Sequence, residues 1–227
     1  MERNLRVRCF EVNKMEEYVI LVDKNDNPIG KEEKVKCHLP NGKLHRAFTA
    51  ILFDKEGRLL LTRRSSSKML WPGDWDGTVA SHPRESETYI SSAERRMPEE
   101  IGIPCKMDYL FKFEYHVPYK DIGSENEMCG TLIGIVDKNA KFSLVDEEIS
   151  ELKWITPKEL IFELKNNAKI YCPWMLIALY LIPSSKKDVL EKFSGVLNDW
   201  TQKEIRETLE KAIKLHLPDN NWRHVSD

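Results

Sequence analysis

The sequence predicts an α/β (α+β) protein, a mixed β-sheet sandwiched between helices with an added helical segment at its C-terminal end. Three observations lead there. Apolar, strand-like runs separated by turn residues fill the first third of the chain: "EEYVILVD", "HRAFTAILFD" and "LLLTRR". Runs of helical character lie at residues 86–101 and beyond residue 156. Further strand-like runs, at 109–116, 127–136 and 150–155, fall between them, so the two kinds of element share one core.

Each element has its own reason. "KNDNPIG" reads as the turn after the first strand, and "KEGR" as the hairpin turn between "HRAFTAILFD" and "LLLTRR". "LWPGDWDG" reads as a loop because Pro72, Gly73 and Gly77 resist regular structure. The helix over 86–101 takes Ser86 as N-cap and Gly102 as its stop, with Pro98 bending the last turn. "TPKELIFELKNN" begins with Thr156 as cap and Pro157 at the first helical position. "CPWMLIALYLI" is a core helix. "KKDVLEKFSGVLNDW" and "TQKEIRETLEKAIKLHL" predict two more helices, the second opening on the capping box Thr201-x-x-Glu204. The expected organisation is an N-terminal extension over 1–16, a main domain over 17–182, and a helical extension over 183–227. That extension packs on the core, caps a pocket or pairs two subunits, as a monomer or a homodimer.

Composition removes several classes of function. The formal net charge is −2, so no basic field draws the chain to nucleic acid. No apolar run reaches the roughly 18 residues of a membrane span, and the first residues lack a signal-peptide core, so the expected location is cytoplasmic. Five cysteines, odd in number and without a C-x-x-C pair, suit free thiols in a reducing compartment.

The chemistry-bearing residues cluster in motifs. His38 and His45 flank the turn "LPNGKL", and His82 ends the loop "DWDGTVASHP". Glu125 and Glu127 are two apart, which on a strand turns both carboxylates to one face. A lone histidine is usually a packed or surface residue, and E-x-E is usually a solvated face. Their coincidence suits one divalent transition ion, zinc or manganese. A basic set, Lys34, Lys36, Arg63, Arg64, Lys68 and Arg96, would neutralise a diphosphate if gathered beside it, although each alone is ordinarily a solvated charge. Residues 87–103, "ETYISSAERRMPEEIGI", resemble the Nudix signature G-x5-E-x7-R-E-U-x-E-E-x-G-U. Glu87, Arg95, Met97, Glu99, Glu100, Gly102 and Ile103 fall in place, while Ser81 stands for the leading glycine and Arg96 for the second acid. An arginine there removes a metal ligand and adds a cation, which disfavours pyrophosphate hydrolysis and favours diphosphate binding.

Taken together, "CHLPNGKLHRAF", "LLLTRRSSSKMLWPG", "ASHP", "RRMPEEIGI", "SENEMC" and "CPWM" resemble the type I isopentenyl diphosphate isomerases, a Nudix-fold family, over about residues 17–182. The resemblance implies a Nudix fold and interconversion of isopentenyl and dimethylallyl diphosphate by protonation and deprotonation. It implies His38, His45, His82, Glu125 and Glu127 as ligands of the transition ion, and Glu100 as ligand of a Mg²⁺ that bridges to the diphosphate. It implies Lys34, Arg64, Lys68 and Arg96 as diphosphate-binding residues, and Tyr115 and Trp174 as aromatics beside the hydrocarbon. Glu127 matches one member of the family's acid–base pair. The other, a cysteine, falls at Ala80, whose methyl group transfers no proton. Three activities are therefore expected to compete: isomerisation, impaired at Ala80; protonation of a longer prenyl diphosphate followed by cyclisation, with Trp71, Trp75, Tyr115 and Trp174 offering faces to the cation; and weak hydrolysis or non-catalytic binding.

Overall fold

The computed structural model describes residues 17–226, so the expected extension over 1–16 lies outside the described residues. In chain order the elements are β1 (Tyr18–Val22), β2 (Pro28–Glu33), α1 (Lys34–His38), β3 (His45–Phe53), β4 (Leu59–Arg64), β5 (Trp75–Asp76), β6 (Val79–Ser81), α2 (Tyr89–Ile101), β7 (Asp108–Tyr119), β8 (Gly123–Ile135), β9 (Ile149–Ile155), α3 (Pro157–Asn167), α4 (Pro173–Leu181), α5 (Lys187–Lys192), α6 (Ser194–Leu197), α7 (Lys203–His216) and β10 (Trp222–Val225). The strands form one sheet with the path β10-β7-β8-β3-β1-β2. The strands β4 and β6 also pair with β3, and β4 pairs with β5 and β9. The β3–β8 pairing is parallel and the other named ladders are antiparallel, which makes the sheet mixed.

Alternation along β3 divides the core. Ile51 and Phe53 belong to one buried cluster, with α4, α7 and the aromatics Trp71, Tyr115 and Trp174. Phe48, Ala50 and Leu52 belong to another, with Ala93, Met97 and Ile101 of α2. The sheet therefore has helices on both faces, as its two apolar sides require.

Some boundaries differ from those the sequence predicts. The N-cap of α2 is Thr88, not Ser86: its hydroxyl accepts from the Ser91 N–H at 3.1 Å while the Ser91 hydroxyl accepts from the Thr88 N–H at 2.9 Å. A serine thus fills the place that a glutamate usually takes in such a box. Gly102 ends the helix at φ 76°, and a β-carbon there would lie 2.7 Å from that of Ser143. The Thr156 cap of α3 is present and reciprocated by Glu159. The Thr201–Glu204 box is absent, because Thr201 donates to the Asn198 carbonyl at 2.9 Å and α7 starts after Gln202. The run "KKDVLEKFSGVLNDW" breaks into α5, α6 and a 3₁₀ turn. Four strands come without warning: β2, within the expected turn region; β5, inside the expected loop "LWPGDWDG", where Trp75 and Asp76 pair with Arg63 and Thr62; β6, which pairs with β3; and β10, which pairs with β7 from Trp222↔Tyr115 to Val225↔Lys112.

The C-terminal helices bury Phe193, Val196, Leu197, Trp200, Leu209 and Ile213 in the same cluster as β3 and α4. Trp200 is also anchored by its indole N–H, which donates to the Gly57 carbonyl at 2.8 Å in the β3–β4 turn. Trp200→Ala removes that bond and a large buried ring. It is expected to cost about 3–5 kcal/mol, read as a lower denaturant midpoint at unchanged slope.

Candidate active site

Register assembles the centre. His45 pairs with Glu127 across the parallel β3–β8 ladder, and Tyr115 pairs with Glu127 across β7–β8. The three side chains therefore stand in a row on one face of the sheet. Glu125 lies two residues before Glu127 on that face. The short α1, capped by Glu33, brings His38 in from the side, and the chain leaving β6 brings His82. The approach of β8 to α1 is close: a β-carbon at Gly123 would lie 2.8 Å from the His38 carbonyl oxygen.

Ligand-capable atoms of His38, His45, His82 and Glu127 all lie within 4.8 Å of one another. Glu127 Oε1 is 3.5 Å from His45 Nε2 and 3.4 Å from His82 Nε2, while Glu125 Oε2 is 3.1 Å from His38 Nε2. The backbone fixes what those nitrogens present. His38 Nδ1 lies 2.6 Å from the Lys34 carbonyl and His45 Nδ1 lies 2.7 Å from the Lys43 carbonyl. A carbonyl accepts only, so both Nδ1 atoms carry the proton, and in the neutral rings both Nε2 atoms turn a bare lone pair inward. Carboxylate oxygens lie opposite them, and His45 Nε2 also lies 3.2 Å from His82 Nε2. With no cation among them, burial disfavours charge on His45, but its contacts with Cys37 and Glu127 outweigh it and raise the imidazole well above its usual range, so that it meets Glu127 as a protonated donor. Glu125 Oε2 has no hydrogen-bond partner although it is buried, and His82 Nδ1 has none either. Orphaned buried acceptors are costly, whereas a divalent cation draws lone pairs together. Two imidazoles held through Nδ1 and a third whose Nδ1 is unpartnered, with one or two carboxylates, fit a divalent transition ion.

Charge states follow the same crowding. Burial presses His82 well below the usual imidazole range, and His45, Lys34 and His38 add to it. Burial also disfavours charge on Glu127, but His45 and the Tyr115 hydroxyl outweigh it and keep the carboxyl low. Burial and the Glu127 charge push the Tyr115 phenol well above its ordinary value, so it keeps its proton. That hydroxyl donates to Glu127 Oε2 at 2.6 Å.

A cavity of about 470 Å³ opens beside this centre. It is lined by His38, His82, Glu125, Glu127, Tyr115, Trp174, Ala80, Lys34, Arg64, Lys68 and Arg96, with Glu17, Met69, Leu70 and Glu148 among the others. His45 stands behind the lining, as does Glu100. Ala80 pairs with Thr49 of β3 and presents its methyl group to the cavity wall. The cations of the rim carry carboxylate partners. Lys34 meets Glu17 at 2.8 Å, Lys68 meets Glu148, and Arg96 meets Glu148 at 3.2 Å, Glu99 at 3.0 Å and Glu100 at 2.5 Å. Burial raises the Glu100 carboxyl to about 7 against the pull of Arg96, and Lys68 and Arg96 together overcome burial to hold Glu148 at about 2. Glu17 and Glu148 belong to none of the motifs picked out in the sequence. Lys36 and Arg63 are outside the cavity lining. The remaining aromatic candidates, Trp71 and Trp75, are buried behind the wall.

Among the described residues no helix is long and apolar enough to cross a membrane, and Cys37, Cys105, Cys129 and Cys172 are free thiols.

The architecture and the position of this site define a NUDIX domain, whose family model matches residues 43–175. A solved structure from Deinococcus radiodurans shares the fold, with a TM-score of 0.55 and 23% identity over 66% of this chain and 90% of that one. Among curated proteins the chain is 35% identical to isopentenyl-diphosphate Delta-isomerase 1 of Photorhabdus laumondii, covering 70% of this chain and 90% of that protein. It is 38% identical to isopentenyl-diphosphate Delta-isomerase of Haloarcula marismortui, covering 71% of this chain and 88% of that one. The chain belongs to the isopentenyl-diphosphate Delta-isomerase family within the Nudix superfamily.

If the bare lone pairs are metal ligands, protein loaded with zinc and desalted should hold near one equivalent by elemental analysis, with a raised melting temperature. His45→Gln should lose both effects. An unaltered protein that retains no metal would contradict the assignment.

Proposed function

We propose that this protein is a metal-dependent isomerase of prenyl diphosphates that protonates isopentenyl diphosphate from the Glu127–Tyr115 side and turns it over slowly for want of a thiol at residue 80. The observation that carries the reading is the Tyr115–Glu127 hydrogen bond, 2.6 Å long, placed at a cavity wall beside three converging imidazoles. His38, His45, His82 and Glu127, with Glu125 alongside, are the residues that would hold zinc or manganese. When bound, such an ion supplies Lewis acidity and fixes the charge of its carboxylate ligands.

The side chains divide the work. Lys34, Lys68 and Arg96 face the cavity as a cationic rim for the diphosphate, the chemistry to which basic side chains are suited. Glu100, whose Oε1 Arg96 engages, would share a Mg²⁺ with that group. Glu127 is the group placed to carry the proton to the alkene, and the Tyr115 hydroxyl, which burial keeps protonated and which donates to Glu127 Oε2, fixes the direction of that carboxyl. Trp174 and Tyr115, with ring centroids 6.2 Å apart, border the carbon that becomes positive. Ala80 presents carbon and hydrogen only, so the proton lost on the opposite side passes to water rather than to a side chain at residue 80, which slows turnover. Hydrolysis is disfavoured, since Arg96 occupies an acidic position of the signature and ties up Glu99, Glu100 and Glu148.

A second reading has an observation of its own. The cavity, at about 470 Å³, is in the range of sites that take drug-sized ligands, and a five-carbon tail leaves much of it unfilled. A longer prenyl diphosphate, protonated at the same place and lacking a base at residue 80, would have time to cyclise.

Proton NMR in D₂O, with zinc and magnesium present, distinguishes these readings. Isopentenyl diphosphate should yield deuterated dimethylallyl diphosphate slowly, and Ala80→Cys should raise the rate on the order of 10²–10⁴-fold. Tyr115→Phe should lower it. No conversion by either the unaltered protein or Ala80→Cys, with geranyl diphosphate giving cyclised products, would favour the second reading.

A further inference from the structure

The segment that carries Asp76 reads in the sequence as a loop, yet it forms β5, and Asp76 is 3% exposed with its carboxylate fully engaged. Oδ1 accepts the indole N–H of Trp174 at 2.7 Å and the Gly77 N–H at 2.7 Å, and Oδ2 accepts from Arg64 Nη1 at 3.2 Å. Arg64 in turn donates to the Trp71 carbonyl and the Leu70 carbonyl, both at 3.0 Å. Its guanidinium therefore spends three of its N–H groups on the wall of the cavity rather than on its mouth, where Lys34, Lys68 and Arg96 sit. It also lies 5.2 Å from the centroid of the Trp174 ring. An unneutralised guanidinium there would compete for the electron-rich face of the indole and repel positive charge on the hydrocarbon.

We propose that Asp76 is a positioning residue for the reacting end of the cavity: it fixes Trp174 by the indole N–H and cancels the charge of Arg64 behind the ring, so that the aromatic wall accepts a cationic carbon. Arg64 serves the wall with it, as the partner that Asp76 neutralises and as the clamp on Leu70 and Trp71. A carboxylate is required by this arrangement because only an acceptor that carries charge satisfies the indole and the guanidinium together. Asparagine keeps the acceptor for Trp174 and loses the compensation.

The inference rests on the prenyl-diphosphate reading of the cavity, and its test needs no turnover. Two diphosphates are compared for binding to the zinc- and magnesium-loaded protein: a five-carbon tertiary amine, protonated at neutral pH, and its uncharged carbon isostere. The unaltered protein should prefer the ammonium compound. D76N should lower that preference on the order of tenfold, the effect of one uncompensated charge across a cavity of effective dielectric about 20, while affinity for the uncharged isostere stays near its original value. The double variant D76N/R64Q, neutral again, should recover the preference. If D76N does not fold, the double variant carries the comparison, and a preference as low as that expected of D76N overturns the proposal. A preference unmoved in folded D76N also overturns it and leaves Asp76 a structural residue. If the unaltered protein binds neither diphosphate, both the proposal and the reading beneath it fall.

Discussion

The rest of the site depends on one constraint: imidazole nitrogens and carboxylate oxygens are packed face to face at 3.1–3.5 Å, where only a shared positive charge, a proton on His45 or a cation among them, relieves the contact. His38 and His45 have given their protons to backbone carbonyls at 2.6 and 2.7 Å, so neither can relieve the contact by donating inward while neutral. Glu125 Oε2 is left without a hydrogen bond 3.1 Å from His38 Nε2. A fold does not tolerate such a cluster for packing, since replacing it with apolar side chains would be cheaper. It makes sense as a receptacle for positive charge, and that receptacle holds Glu127 low and turns the Tyr115 hydroxyl toward it, at the place where the proposed reaction protonates an alkene.

The sheet supplies the precision. Tyr115, Glu127 and His45 are aligned by hydrogen-bonded ladders on three adjacent strands, so their separation is set by strand spacing rather than by loop conformation. The less regular pieces, α1 and the chain after β6, bring in His38 and His82 from the sides. Ala80 sits on β6, anchored by its pairing with Thr49. The missing thiol is thus a gap in a rigid wall, and among the described residues no thiol is placed to stand in for it: Cys37, Cys105, Cys129 and Cys172 are absent from the cavity lining, and burial pushes Cys129 and Cys172 well above the ordinary thiol range.

What the sequence made legible was what local chemistry determines. The E-x-E spacing put Glu125 and Glu127 on one face because strands alternate. Gly102 marked the end of α2 because a left-handed residue is needed there, and Thr156 capped α3 through a standard box. Thr88 escaped because its reciprocal partner is a serine, and β10 escaped because four residues flanked by polar ones carry no periodicity. The convergence of the three histidines was implied by resemblance; the β3–β8 register sets His45 beside Glu127, and α1 and the chain after β6 bring His38 and His82 to them. Glu148, Glu17 and Asp76 were invisible for a related reason. A carboxylate in a turn looks solvated until the fold brings Lys68, Lys34 or Arg64 to it.

The most direct test of this account is zinc K-edge X-ray absorption on the zinc-loaded protein. The account predicts a shell of nitrogen and oxygen at about 2.0–2.2 Å with imidazole multiple scattering and no sulfur. A sulfur shell at about 2.3 Å, which would put Cys37 in the first coordination sphere, or a spectrum without imidazole scattering, would contradict it.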